Sequence, residues 1–255
     1  MSGVGVTASV ADGVARLVLD HPPVNILTRD VLACLREELR RLAADRSLRA
    51  LLLTAAGKHF SAGADVGEHL PPHHAELIPE FLDTVAALDA FPLPVIAAVR
   101  GRCLGGGFEL VQAADLIVAG EGAVFAQPEI TLGVIPPAAC ALLPALVPAG
   151  VAAHLVFTGD SLGAADLQRA GLVWRVTPDA EVETEALRTA ERIARHSAAA
   201  LRLAKEALRS GRTLPRPDAM RRAGRLYLEG VMATADALEG LRAFTERRRP
   251  AWSHA

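Results

Sequence analysis

Residues 94–110 have the sequence Pro94-Val95-Ile96-Ala97-Ala98-Val99-Arg100-Gly101-Arg102-Cys103-Leu104-Gly105-Gly106-Gly107-Phe108-Glu109-Leu110. The first six residues are an apolar, partly β-branched run typical of a buried strand, and the last residues favour a helix. Three consecutive glycines separate them, and without Cβ atoms they leave main-chain N–H groups open to a ligand. A helix start adds unpaired donors and a positive dipole end. The stretch therefore predicts a turn that binds negative charge.

Two glutamates are placed to act beside this turn. Glu109 follows the last glycine by two residues, and Glu129 follows twenty residues later in Gln127-Pro128-Glu129. Two acids in one pocket cannot both ionise freely, so the pKa of one rises while the other stays low, which gives an acid and a base at neutral pH. Taken alone, Glu109 is also what a helix N-terminus favours, and Glu129 fits a surface turn. Both structural alternatives stay open at this point.

Composition and charge exclude several classes of protein. The chain has 255 residues, 51% of them hydrophobic, and a net charge of −2, so we expect no nucleic-acid partner and no acidic membrane surface. There is no basic leader followed by an apolar segment and no apolar run of about 18 residues. We expect a soluble, cytoplasmic protein. The three cysteines Cys34, Cys103 and Cys140 share no metal-ligand spacing, which predicts buried free thiols and no metal site. A nucleophilic Cys103 is a minor alternative.

Strand and helix patterns alternate through the first half of the chain, which predicts an α/β layered fold with mostly parallel strands. The second half is predicted to be helical, and the proline-containing stretch 211–217 is predicted to be a linker. Apolar residues beyond it predict an arm that packs on another subunit or folds back. The predicted strands and helices are a hairpin at 4–19, a helix capped by Thr28, strands at 49–54, 94–99 and 115–119, and helices at 77–91, 141–147, 151–157, 164–170, 182–210, 216–232 and 234–248.

Three motifs, in order, resemble those of the enoyl-CoA hydratase/isomerase, or crotonase, family. They are Phe60-Ser61-Ala62-Gly63-Ala64-Asp65, Gly105-Gly106-Gly107-Phe108-Glu109-Leu110 and Phe125-Ala126-Gln127-Pro128-Glu129-Ile130-Thr131-Leu132-Gly133. The ending 244–250 is also similar to that family's C-terminus. Because the resemblance covers nearly the whole chain, it is far more specific than one glycine cluster.

The resemblance implies a crotonase-like spiral of β-β-α units over residues 1–195 and a C-terminal helical trimerisation region over residues 196–255. It also implies a homotrimer or a homohexamer, built as a dimer of trimers. The implied substrate is an acyl-CoA thioester, with no cofactor besides the coenzyme A that belongs to the substrate. The implied site residues are Glu109 and Glu129 as catalytic carboxylates, Ala64 and Gly106 as N–H donors of an oxyanion hole, and Ala62, Ala64, Asp65, Val66, Gly67 and Gly106 as substrate-binding residues.

The expected reaction is addition of water across the double bond of an enoyl-CoA thioester. Enolate charge would develop on the carbonyl oxygen, where two N–H donors stabilise it. We expect Glu109 to be ionised and to remove a proton from water, and Glu129 to be protonated and to donate to the α-carbon. Another enolate reaction, such as isomerisation, decarboxylation or dehydration, is the first alternative. A non-catalytic acyl-CoA binder is the second.

Some positions depart from the family pattern. Pro137 has no N–H and follows the second glutamate motif where relatives have glycine-rich sequence, so the acyl end of the pocket should differ in shape. Together with Leu104, Phe108 and the loop 69–74, expected to be a mobile surface loop, this is similar to the hydratases of cyclic dienoyl-CoA. Two usual basic positions hold His21 and Gly67, so the CoA phosphates are expected to contact Arg29, or the run 247–249 of a neighbouring subunit, instead.

Overall fold

A computed structural model describes residues 2–254, which form a seven-stranded sheet, a three-stranded sheet and surrounding helices. The strands are β1 (Ser2–Gly3), β2 (Val6–Ala11), β3 (Val14–Leu19), β4 (Ala50–Ala55), β5 (Val95–Val99), β6 (Arg102–Leu104), β7 (Leu116–Gly120), β8 (Val124–Ala126), β9 (Leu162–Gly163) and β10 (Arg175–Thr177). The α-helices are α1 (Arg29–Ala44), α2 (His74–Asp89), α3 (Gly106–Gln112), α4 (Pro137–Leu146), α5 (Ala149–Thr158), α6 (Ala164–Arg169), α7 (Val182–Ala194), α8 (Ala198–Thr213), α9 (Arg216–Arg225) and α10 (Ala235–Thr245).

The large sheet has the order β1-β2-β3-β4-β5-β7-β10, and the small sheet has the order β6-β8-β9. The first three strands are antiparallel, whereas β3, β4, β5, β7 and β10 pair in parallel. Successive units place one strand in each sheet, since β5 is followed by β6 and β7 by β8. This arrangement confirms the predicted α/β fold built as a spiral of β-β-α units.

Strand β4 shows why the centre of the sheet is continuously apolar. All six of its residues are buried because both faces of the sheet are covered. Leu51 and Leu53 belong to the main core cluster, while Leu52 belongs to a second cluster on the opposite face. That second cluster also contains Val182 and Ala186 of α7. Strand β4 is therefore packed against apolar side chains on both faces of the sheet.

Local signals read from the sequence are confirmed in the first half of the chain. Strands β2 and β3 form the predicted hairpin, and its turn residues Asp12 and Gly13 have φ angles of 50° and 78°, as a tight hairpin turn requires. The Thr28 side chain accepts a hydrogen bond from the Val31 N–H and caps α1.

Three predictions about the C-terminal half are wrong. The single helix predicted at 182–210 is two helices, α7 and α8, because Ser197 accepts a hydrogen bond from the Ala200 N–H and starts a new helix. The predicted linker at 211–217 is mostly helical, since α8 continues to Thr213 and α9 begins at Arg216. A π-helical turn (Leu226–Gly230) and a 3₁₀ turn (Val231–Ala233) follow α9 where one helix was predicted to continue to residue 232.

A buried ion pair connects α8 to the sheet. Lys205 Nζ lies 2.6 Å from Asp115 Oδ2 and donates to the Leu93 carbonyl oxygen at 3.0 Å. The same Asp115 oxygen accepts from the Val95 N–H at 2.8 Å. Among residues 2–254, no helix has both the length and the apolar character that crossing a bilayer requires.

Candidate active site

The three-glycine turn brings separate segments together because each glycine faces close neighbours. Gly105 has φ +49° and ψ −127°, a conformation that favours glycine, and an added Cβ would lie 2.7 Å from Glu129 Oε1. An added Cβ on Gly107 would lie 2.6 Å from the Cβ of Ser61. The turn therefore packs against both the Glu129 segment and the loop after β4.

The two predicted oxyanion-hole residues lie side by side. An added Cβ on Gly106 would be 3.2 Å from the Ala64 nitrogen, and one on Gly63 would be 3.6 Å from the Gly106 nitrogen. Gly106 is the first residue of α3, so its N–H has no partner within the helix. In the part of the chain that the structure describes, neither the Ala64 N–H nor the Gly106 N–H donates to another group. Two backbone N–H groups without a partner in the described residues thus lie close together.

Two polar residues that the sequence analysis missed hold the loop carrying Ala64. Asn25 is buried with φ +54°, and its Nδ2 donates to the carbonyl oxygens of Ala56 and His59 at 2.9 and 3.0 Å. Ser61 is also buried. Its Oγ donates to the Asn25 carbonyl oxygen at 2.7 Å and accepts from the Gly63 N–H at 3.1 Å. The available sequence signal was weak, because an asparagine among prolines is typical of any turn.

The Glu109 carboxylate is buried at the N-terminus of α4. Its Oε1 accepts hydrogen bonds from the Ala138 N–H at 2.7 Å and the Ala139 N–H at 3.0 Å. Burial raises the pKa of Glu109 to about 8, against the lowering effect of these two hydrogen bonds, and the neighbouring charge of Glu129 raises it further. Pro137 starts α4 without an N–H of its own, and the two residues after it supply the donors.

The Glu129 carboxylate lies in a 3₁₀ turn (Pro128–Leu132) and is less completely buried. Burial raises its pKa, while its own backbone N–H and the charge of His69 lower it. Its Oε2 is buried and has no hydrogen-bond partner among residues 2–254. Because burial outweighs the two N–H donors, Glu109 has a raised pKa of about 8 and must lose its proton before it can act as the base that the sequence analysis expects.

The predicted substrate-binding loop pairs with the segment 24–27 through backbone hydrogen bonds, as neighbouring strands do. The Ala62 N–H donates to the Val24 carbonyl oxygen at 2.9 Å, and the Asp65 N–H donates to the Leu27 carbonyl oxygen at 3.4 Å. Val66 and Gly67 are exposed at the end of this loop. The structure thus places Gly63 and Ala64 beside Gly106, while contact of residues 62–67 with coenzyme A stays a prediction.

Phe108 is fully buried and packs on Phe125 with ring centroids 5.2 Å apart. The expectation that all three cysteines are buried is wrong. The free thiol of Cys140 is exposed and that of Cys34 is half-buried, so only Cys103 has the buried position expected of all three. Burial raises the pKa of the Cys103 thiol well above its usual range, which disfavours a nucleophilic role.

Two of the basic residues expected to contact the CoA phosphates, Arg29 and Arg248, are paired with acidic side chains. The Arg29 guanidinium lies 2.6 Å from Glu76 and 2.7 Å from Glu80, so it joins α1 to α2. In the C-terminal run, Arg248 pairs bidentately with Glu239 and also pairs with Glu246. Within residues 2–254, no three His, Cys, Asp or Glu side chains are grouped as metal ligands.

Comparison with known proteins matches this geometry to one family. The sequence profile described as enoyl-CoA hydratase/isomerase matches residues 9–255. The chain is 41% identical over 241 residues to cyclohexa-1,5-dienecarbonyl-CoA hydratase of Thauera aromatica, covering 94% of this chain and 92% of that protein. It is 37% identical to 2,3-dehydroadipyl-CoA hydratase of Escherichia coli K12, covering 92% of each.

A solved structure agrees with the sequence comparison. The crystal structure of enoyl-CoA hydratase from Bacillus anthracis superposes with a TM-score of 0.94 at 34% identity, covering 98% of this chain and all of that one. The profile match and the relatives extend over the β-strand core, the glycine turn and the C-terminal helices alike. The chain belongs to the enoyl-CoA hydratase/isomerase family.

Proposed function

We propose that the protein is an enoyl-CoA hydratase, which adds water across the α,β double bond of an acyl-CoA thioester. One observation carries the proposal: two backbone N–H groups that have no partner among residues 2–254, on Ala64 and Gly106, lie close to two carboxylates, the buried Glu109 and the half-buried Glu129. The two N–H donors alone would stabilise the enolate of any reaction in this family, so they do not distinguish hydration from isomerisation. Two carboxylates allow one to take a proton from water while the other supplies a proton to the α-carbon.

The N–H groups would act on the thioester carbonyl oxygen. When the hydroxide equivalent adds to the β-carbon, negative charge moves to this oxygen, and the two donors stabilise it there. Each preorganised donor of this kind contributes about 3 kcal/mol to transition-state stabilisation. Asn25 and Ser61 fix the loop that carries Ala64, so its donor need not reorganise during the reaction.

Glu109 is proposed as the base and Glu129 as the acid. Oε1 of Glu109 is held by the Ala138 and Ala139 N–H groups, which orients the carboxylate and leaves its second oxygen for water. A base with a pKa of about 8 accepts a proton more readily than an ordinary glutamate, but it must first be ionised. We therefore expect kcat/KM to rise with pH until the pH reaches about 8. A profile that instead falls through this range would reverse the two roles.

The acyl group we propose first is a cyclic dienoyl group. Its support is the 41% identity to the Thauera aromatica cyclohexa-1,5-dienecarbonyl-CoA hydratase, together with an α4 that begins with Pro137 at the Glu109 end of the pocket. The second candidate is an open-chain enoyl-CoA, since another relative is named as a 2,3-dehydroadipyl-CoA hydratase.

The test is loss of enoyl-thioester absorbance with cyclohexa-1,5-diene-1-carbonyl-CoA and crotonyl-CoA, followed by product analysis. Hydroxyacyl-CoA formation from either substrate supports the hydratase, and the higher kcat/KM assigns the acyl class. Formation of a shifted double bond without water addition would replace hydration by isomerisation. Tight binding of both thioesters without turnover would favour a non-catalytic binder.

We also propose that the protein assembles as a homotrimer or as a dimer of trimers through its C-terminal helices. The supporting observation is their exposed apolar side chains: Leu208 and Leu228 are each 70% exposed, and Phe244 is 84% exposed. Such surface is costly in water and is typical of a contact between subunits. Light scattering on the purified protein tests this, and a monomer at micromolar concentration would contradict it.

A further inference from the structure

Arg29 is the first residue of α1, and its main chain contacts the loop that carries the Ala64 donor. The Arg29 N–H donates to Glu68 Oε2 at 2.9 Å. Two residues earlier, the Leu27 N–H donates to the Gly63 carbonyl oxygen, also at 2.9 Å. The chain at the start of α1 therefore contacts this loop on both sides of Ala64.

The Arg29 side chain reaches a second element, the helix α2. Its Nε and Nη2 donate to the two carboxylate oxygens of Glu80 at 3.0 and 2.7 Å, which is the paired geometry that a guanidinium forms with a carboxylate. Its Nη1 lies 2.6 Å from Glu76 Oε2. Arg29 thus binds the Ala64 loop through its main chain and α2 through its side chain.

Helix α2 packs against the turn that carries the second donor. Phe81 directly follows Glu80 and is 3% exposed. A Cβ added to Gly106 would lie 3.1 Å from Phe81 Cε2 and 3.2 Å from the Ala64 nitrogen. The edge of the Phe81 ring therefore lies close to both donors, and a displacement of α2 would change the packing of Gly106.

The geometry points to Arg29 as a positioning residue that fixes the Ala64 and Gly106 donors relative to each other. This inference rests on the proposed function, in which both N–H groups act on one thioester oxygen. Two donors stabilise the same oxygen only when each lies at hydrogen-bond distance from it. A small displacement of one donor therefore reduces the rate, although neither donor is lost.

Loss of the Arg29 side chain should leave the fold intact. Arg36, also on α1, donates to the Glu80 carbonyl oxygen at 2.7 Å and to Thr84 Oγ1 at 2.9 Å, so a second link between α1 and α2 remains. The Arg29 side chain is 32% exposed, and loss of ion pairs at such a position costs little stability. The expected consequence is a displacement of α2 and of the Ala64 loop, without unfolding.

The experiment measures how strongly the two donors polarise a thioester carbonyl bound to the full-length protein. The probe is butanoyl-CoA labelled with ¹³C at the thioester carbonyl, which has no double bond and cannot be hydrated. Its infrared C=O stretch should move to lower frequency on binding to the wild type, because N–H donors weaken the C=O bond. In Arg29→Gln this downshift should be smaller. Arg29→Lys keeps the charge without the paired geometry, and its downshift should lie between the two.

Arg41→Gln is the matched control. Arg41 also makes two hydrogen bonds to a glutamate, with Nε and Nη2 at 3.0 and 2.7 Å from Glu38 Oε2. This pair lies within α1, about three turns from Arg29. Its removal should leave the carbonyl frequency and kcat at their wild-type values.

The kinetic counterpart is a fall in kcat of about 3–10-fold in Arg29→Gln, with KM little changed. An unchanged carbonyl frequency in Arg29→Gln would overturn the inference, as would an equal change in Arg41→Gln. If the probe is polarised but no enoyl thioester is hydrated, the hydratase proposal fails while the effect of Arg29 is still measured. A wild type that does not bind the probe, or binds it without a downshift, would overturn both, because the two N–H groups would then not act as an oxyanion hole.

Discussion

The surroundings of Glu109 and of Glu129 differ, although the charge of Glu129 raises the pKa of Glu109. At Glu109 the chain directs two N–H groups from the start of α4 to one oxygen. At Glu129, Oε1 lies close to the Gly105 backbone, since a Cβ added to Gly105 would be 2.7 Å from it. Oε2 has no hydrogen-bond partner within residues 2–254. The chain thus orients Glu109 through two hydrogen bonds to Oε1, whereas it gives Glu129 Oε2 none within residues 2–254.

Replacement of each carboxylate by its amide should have the largest effect. The amide oxygen in Glu109→Gln can still accept from the Ala138 and Ala139 N–H groups, so this variant should fold normally and lose only the proton acceptor. We expect kcat to fall by about 10²–10⁴-fold in Glu109→Gln and in Glu129→Gln. The double variant should be little worse than either single one, because the residues act as a unit. Stopped-flow hydration assays measure this, with thioester binding as the control.

If one of the amide variants kept more than about a tenth of the wild-type kcat, a two-carboxylate mechanism would not hold, since general acid–base groups contribute far more than that. Loss of thioester binding in the same variant would instead show a damaged pocket. A loss of kcat with thioester binding retained thus indicates a lost proton transfer, whereas a loss of binding indicates a disturbed pocket.

The raised pKa of Glu109 should make the stability of the protein depend on pH. The folded-state pKa of about 8 lies above the ordinary value of 4.5, so the unfolded chain releases this proton at lower pH than the folded one. The contribution of protonated Glu109 to the free energy of unfolding is therefore fully present below pH 4.5 and is lost as the pH rises through about 8. The loss is on the order of a few kcal/mol. Glu109→Gln should remove this dependence.

Urea unfolding at pH 5 and pH 8.5 would measure that difference in the wild type and in Glu109→Gln. The variant should be the more stable protein at the higher pH and about equal at the lower one. Equal pH dependence in both proteins would mean that Glu109 is ionised in the folded state, against its burial.

Gly105→Ala tests whether the position of the Glu129 carboxylate depends on its close contact with Gly105. The new Cβ would meet Glu129 Oε1 at 2.7 Å in a backbone conformation that favours glycine. We expect kcat/KM to fall by about 10–100-fold through displacement of the carboxylate, and stability to fall by about 1–3 kcal/mol. Gly133→Ala is the matched control, because Gly133 also has a positive φ, of +75°, but an added Cβ there meets nothing within 4 Å.

Gly133→Ala should cost only the backbone strain, about 1–2 kcal/mol, and leave kcat/KM close to the wild type. Similar kinetic losses in both alanine variants would show that strain in this segment, and not contact with Glu129, governs the rate.

The sequence predicted those parts of the site that are local in the chain. The glycine turn, Glu109 and Glu129 stand in short motifs, and the structure places Ala64 and Gly106 beside them. The Ala138 and Ala139 donors and the Asn25 contacts could not be predicted, because their partners lie about thirty residues away in the chain and no local pattern encodes that pairing.

The fold shows the same limit. Alternating strands and the Thr28 cap carry their own signals, and both are confirmed. The break between α7 and α8 was missed because both helices continue one amphipathic pattern, and the Ser197 cap interrupts it over a few residues. The stretch 211–217 contains two prolines, but proline is tolerated in the first turn of a helix, and α9 begins there.

Ser61→Ala should have the smallest effect, and it tests whether the support beneath the Ala64 donor matters as much as the carboxylates. The variant loses the hydrogen bonds to the Asn25 carbonyl oxygen and from the Gly63 N–H but keeps the Cβ on which Gly107 packs. We expect a loss of about 1–3 kcal/mol in the free energy of unfolding, because two buried groups are left unpaired, and a several-fold fall in kcat.

Ser47→Ala is the control, since the exposed Ser47 hydroxyl also makes one hydrogen bond, to Asp45, and water can replace it. Thermal unfolding and hydration kinetics measure both variants. If Ser61→Ala lowered stability without lowering kcat, the Ala64 donor would be held by the main-chain pairing of 62–65 with 24–27 alone, and the preorganisation of the oxyanion hole would lie in that pairing.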